Sequence, residues 1–172
     1  MANEATSVYA LGSFGGLATI AVLAVGIAAL VLAWALDRAV STVSKVGVGI
    51  LGLFGVCKLL QAFFPIDAVG SVTTTAGSVH NILGNFAFFS LPVAAFLITR
   101  SLSRHSSNCS WLLVASTVGV LSSGLIGGFG IAQRLYLVLS SLWMAFAPLD
   151  LRASRSQRTE APSSLESRTT QI

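Results

Sequence analysis

Five apolar runs separated by short polar breaks dominate the chain: Phe14–Leu36, Val46–Phe64, Val79–Thr99, Trp111–Gly130 and Ile131–Ala147. Each is near the ~20 residues that a helix needs to cross a hydrocarbon core of about 30 Å. Inside the runs apolar and polar residues do not alternate, as the strands of a membrane barrel would require. In lipid every backbone N–H and C=O must be paired within the spanning segment, so helices are the remaining solution. The pattern predicts an all-α, polytopic bundle with five transmembrane helices. The fifth run is short and carries Arg134 near its start. Beyond residue 152 the pattern dissolves into a Ser-, Thr- and Arg-rich segment. The predicted organisation is a membrane domain over 1–152 and a disordered tail over 153–172.

Composition agrees with lipid as the main solvent. Of 172 residues, 54% are hydrophobic and only 9% charged, and the mean hydropathy is +0.83. A soluble domain carries about a quarter charged residues, so this chain cannot solvate a globular surface. The net charge of +4 does not signal nucleic acid. The basic residues are sorted by loop rather than spread over a face interleaved with aromatics. Arg38 and Lys45 flank the first break, Arg100 and Arg104 follow the third run, and Arg152, Arg155, Arg158 and Arg168 lie in the tail. The opposite set of loops holds Arg134 alone. Basic loops stay in the cytoplasm, which puts the N-terminus outside and the C-terminus inside a bacterial inner membrane. The N-terminal tail lacks a basic region, and the first run is too long for the apolar core of a signal peptide. The two cysteines, Cys57 and Cys109, fall toward opposite faces on this topology, so no disulfide is expected.

Two motifs invite a reading that their context refuses. Residues 47–52 read GVGILG, a G-x-G-x-x-G match, but they sit inside an apolar run with no βαβ unit around them. Small residues that let helices approach closely are the better reading. His80 and His105 would lie at opposite faces, and no convincing ligand set surrounds either. No metal and no cofactor is expected.

The polar residues of the spans gather in one half of the bundle, the half predicted to face outward. Lys58 and Gln61 lie three apart on one helix face. His80, Asn81 and Asn85 enter the third run, Gln133 and Arg134 open the fifth, and Asp67 stands in the loop between the second and third runs. Ionisable groups in a span cost ~2.5–3.5 kcal/mol each at a helix centre, so clustering implies mutual pairing. Asp67 is expected to meet Lys58 or Arg134. Three readings fit. In the first, the groups are interhelical glue: Lys58 snorkels to the interface, Asp67 ends the second helix after Pro65, and Ser78 caps the third. In the second, Lys58, Gln61, Asp67, His80, Asn81, Asn85 and Arg134 form a site for an anionic lipid headgroup, with Lys58 and Arg134 on the phosphate. In the third, His80 is a general base oriented by Asp67 in a lipid hydrolase or transferase. A small transporter or channel is disfavoured, because no comparable polar set continues the path through the other half.

The segments FFPID, TTTAGSVHNILGNFAFFSLPVAAFLITR and GGFGIAQRLYLVLSSLWMAF resemble the bacterial membrane family known as domain of unknown function 998. The resemblance covers roughly residues 9–152. The family pattern has a Phe-Pro-x-Asp helix end, matched by Phe64, Pro65 and Asp67. It has a Gly-x-x-His helix entry, matched by Gly77 and His80, and an acid-Arg pair opening the last helix, matched at Arg134. Gln133 stands where the acid is common, which weakens any role borrowed for that acid. The resemblance implies about six spans, and so a helix before the first run seen here. It brings no established activity. The reading adopted is a non-enzymatic envelope protein whose outer-side polar pocket takes a lipid headgroup or a partner helix. Membrane lipids, a second copy or another membrane protein are its expected partners.

Overall fold

The computed structural model describes residues 11–39, 41–102 and 129–160, and every regular element within them is an α-helix. Helix α1 spans Gly15–Ala39, α2 Lys45–Gln61, α3 Thr75–Leu102 and α4 Phe129–Glu160. These correspond to the first, second, third and fifth apolar runs. Nearly all of the fourth run, with His105 and Cys109, lies outside the described residues. Two helices, Gly15–Ala39 and Thr75–Ser101, are long and apolar enough to cross a membrane.

All four helices turn large apolar side chains outward at helical spacing. On α1 these include Leu17, Ile20, Ile27, Val31 and Trp34; on α3, Ile82, Phe86, Phe89 and Val93; on α4, Ile131, Leu135, Val138, Leu142 and Phe146. In water such stripes would be polar. Here they are apolar, while Gln61, Ser90, Thr99 and Ser140 are buried, which suits a lipid solvent.

Helix α2 packs against both α1 and α3, while α4 touches α1 and α3. The α1–α2 crossing is set by two glycines. A Cβ on Gly55 would come within 2.9 Å of the Gly26 carbonyl oxygen, and one on Gly26 within 3.1 Å of the Gly55 oxygen. The backbones therefore meet directly, as small residues permit in membrane bundles. Gly47 lies similarly close to Ile98 and Leu97 of α3. Gly49 and Gly52 of the G-x-G-x-x-G match face open space. The close-packing expectation thus holds at Gly47 and fails at the other two.

The turn between α1 and α2 is pinned to the far end of α3. The Ser44 hydroxyl caps α2 by accepting from the Gly47 N–H at 3.1 Å, and the Ser44 N–H donates to Ser101 Oγ at 3.0 Å. Lys45 pairs with Asp37 at 2.7 Å, and the Arg38 guanidinium lies 5.5 Å from the Trp34 ring centroid. Arg38, Lys45 and Arg100 therefore share one end of the bundle.

Proline 92 lies inside α3 and cannot donate to the carbonyl of Phe88, four residues back. Tyr136 of α4 supplies the missing donor: its hydroxyl reaches Phe88 O at 2.8 Å, and the two rings pack with centroids 4.4 Å apart. About two helical turns further along, Trp143 is fully buried and its indole N–H donates to Thr99 Oγ1 at 3.3 Å.

Two helix boundaries differ from expectation. Helix α3 starts at Thr75, four residues before its apolar run, and its cap is Thr74 rather than Ser78. The Thr74 hydroxyl accepts from the Gly77 N–H at 3.0 Å. Helix α4 continues to Glu160, through residues 153–160, which composition assigns to the disordered tail. No glycine occurs between Gly130 and that point, and Arg, Gln and Glu are good helix formers. Extending an existing helix avoids the cost of nucleation. Residues 161–172 lie outside the described residues.

Candidate functional site

Away from the Arg38–Lys45–Arg100 end, the helices diverge around a cavity of about 650 Å³. It is walled by the first half of α1, the second half of α2, and the first halves of α3 and α4. Most of the wall is apolar. The polar groups on it include Lys58, Gln61, His80, Asn81, Asn85 and Gln133, joined by the hydroxyls of Thr19, Tyr136, Ser140 and Ser141.

Three of these groups form a directed hydrogen-bond chain. Lys58 Nζ donates to Gln61 Oε1 at 2.9 Å. Gln61 Nε2 lies 3.1 Å from His80 Nε2. His80 Nδ1 lies 2.7 Å from the Phe64 carbonyl oxygen. A carbonyl can only accept, so Nδ1 carries the imidazole proton, and Nε2 is left to accept from the Gln61 amide. One arrangement satisfies every member: Lys58 to Gln61, Gln61 to His80, His80 to Phe64. Gln61 is buried, and its amide rests on Gly84, where a Cβ would lie 2.7 Å from Nε2. The glycine makes room for the bridge between α2 and α3. No buried side-chain nitrogen or oxygen among the described residues lacks a partner, as expected where an orphaned polar group costs about 1–3 kcal/mol.

The sequence-predicted residues separate into two groups. Lys58, Gln61, His80, Asn81 and Asn85 share the cavity wall, whereas Asp67 and Arg134 do not line it. Asp67 is not paired with Lys58, whose partner is Gln61, nor with Arg134; among the described residues the ion pair present is Lys45–Asp37. Instead its carboxylate accepts from the Thr74 N–H at 2.8 Å and the Thr74 hydroxyl at 2.7 Å, and it lies directly over Gly77. Asp67 thus latches the loop onto the cap of α3. It does not end α2, and it does not orient His80, whose Nδ1 proton goes to Phe64 O. The acid-base pair of the catalytic reading is therefore not assembled: both imidazole nitrogens are already engaged.

Sequence reasoning missed Tyr136, Thr19 and Ser140 on the wall. For Tyr136 a signal existed, since Pro92 leaves the carbonyl at position 88 in need of a donor. Lys58 is the one charged side chain on the described wall, and no carboxylate faces it. Cys57, on α2, is buried with a free thiol. Among the described residues no group of three or more His, Cys, Asp or Glu side chains could hold a metal ion.

No curated protein and no solved structure matches the chain. The family described as "Protein of unknown function (DUF998)" matches residues 1–149, most of the 172. With Phe64, Pro65, Asp67, Gly77 and His80 placed around one helix junction, the chain belongs to the DUF998 family.

Proposed function

We propose that this chain is a multi-pass protein of a bacterial inner membrane that binds the headgroup of an anionic lipid and does no chemistry on it. Its five spans put the N-terminus outside and the C-terminus in the cytoplasm, so the cavity opens at the level of the outer leaflet. The exposed apolar stripes support a lipid solvent. The gathering of Arg38, Lys45 and Arg100 at the end opposite the cavity supports the sidedness.

Lys58 carries the reading. An ammonium has three donors, and Lys58 gives one to Gln61. Gln61 and His80 hold it at the cavity wall, and acyl chains would lie against the apolar remainder. Asp67 and Arg134 have no part in holding the ligand.

The test is mass spectrometry of lipids retained by the protein purified in mild detergent. Anionic lipid should be enriched over the bulk membrane. Lys58→Met, which keeps the volume and removes the charge, should lose that enrichment, and Asp67→Asn should keep it. Equal retention by Lys58→Met, or a stoichiometric partner protein in place of lipid, would overturn the proposal.

A further inference from the structure

Resting on that lipid-site reading, we propose that the preferred ligand is a monoanionic lipid whose headgroup also carries hydroxyl groups, as a glycerol or sugar headgroup does. The charge follows from the wall. Lys58 supplies one positive charge, and among the described residues of the wall no carboxylate is there to receive the ammonium of a zwitterionic lipid. His80 adds no charge, because its Nε2 accepts from Gln61 while its Nδ1 donates to Phe64 O.

The hydroxyls follow from Asn81 and Asn85. These lie four residues apart on the exposed part of α3 and line the cavity. Neither carboxamide hydrogen-bonds to a described residue, unlike that of Gln61. Each offers two N–H donors and an acceptor oxygen. A bare phosphate diester can only accept, so it leaves both amide oxygens without a partner on the ligand. A hydroxyl donates as well as accepts. Residues four apart on a helix place their Cβ atoms about 5–6 Å from each other. Two flexible amides at that spacing can bracket a glycerol unit or a single sugar ring.

The full chain is delipidated and offered defined lipids, with binding read by native mass spectrometry. Phosphatidylglycerol carries the charge and the hydroxyls. Phosphatidylmethanol carries the charge alone, and a neutral diglucosyl lipid carries hydroxyls alone. The wild type should prefer phosphatidylglycerol over phosphatidylmethanol by roughly tenfold, the scale of one or two unmatched polar groups. Asn81→Leu with Asn85→Leu should erase that preference and leave phosphatidylmethanol binding unchanged. Lys58→Met should weaken both anionic lipids and spare the neutral one. Equal affinity of the wild type for the two anionic lipids overturns this inference and leaves the lipid-site reading standing, and it decides the matter even if the double variant does not fold. Soluble glycerol phosphate binding as tightly as phosphatidylglycerol would overturn both, because the ligand would then not be a lipid. Binding of none of these would sink both.

Discussion

Tyr136 and Pro92 act on one carbonyl. With proline at 92, Phe88 O loses its donor four residues on and accepts from the Tyr136 hydroxyl at 2.8 Å. Tyr136→Phe should cost about 1–2 kcal/mol, read as a lowered unfolding midpoint in detergent. In a Pro92→Ala background the alanine N–H takes over the carbonyl, so the same substitution should cost much less. Strict additivity in that double-mutant cycle would show that the hydroxyl acts elsewhere. Gln61 is the second sensitive residue. Gln61→Leu strands Lys58 Nζ and His80 Nε2 together and should destabilise by roughly 2–4 kcal/mol, as two polar groups lose partners. Asp67→Ala should cost only about 0.5–2 kcal/mol, the range of a lost cap interaction. The Lys58–Gln61 pair was legible because both residues lie on one helix at a three-residue spacing. The Gln61–His80 bond was not, since it joins two helices whose rotation the sequence leaves open. Asp67 was misassigned because a loop carboxylate can turn to a cation or to a cap, and charge scarcity alone does not choose. The alternative was nevertheless written in the chain, as Thr74 three residues ahead of Gly77.

Among the elements, the α1–α2 crossing makes a sharp contrast within one glycine-rich helix. Gly55→Leu must displace the Gly26 carbonyl and Leu30, so it should abolish the folded monodisperse species on gel filtration. Gly49→Ala and Gly52→Ala meet nothing, and they should leave the melting midpoint unchanged or raise it, since alanine favours helix by up to about 1 kcal/mol. Equal damage from all three would mean that the crossing lies elsewhere. The existence of α1 to α4 was readable from the first, second, third and fifth apolar runs, because each comes close to the length of a span. Helix ends were not. The start of α3 depends on Thr74 and on a loop carboxylate seven residues earlier, and the extension of α4 depends on a helix already nucleated in the span.

For the whole molecule, the arrangement of charge can be checked by sidedness. With Cys57 and Cys109 replaced by serine, Val72→Cys in the exposed loop before α3 should react with a membrane-impermeant maleimide in intact cells. Ser41→Cys, between α1 and α2, should react only after lysis. The opposite result would reverse the topology and move the cavity to the cytoplasmic leaflet. The repair of α3 by α4 has one more effect at this scale. Tyr136 and Phe88 both stand on the cavity wall. Prising the two helices apart to admit a bulky amphiphile would uncouple the hydroxyl from a carbonyl that proline cannot serve. On the lipid-site reading proposed above, that would set an activation threshold of about 1–3 kcal/mol on entry and exit. A latch of this kind slows traffic in both directions without changing affinity, so Tyr136→Phe should exchange its guest faster while holding it no more tightly.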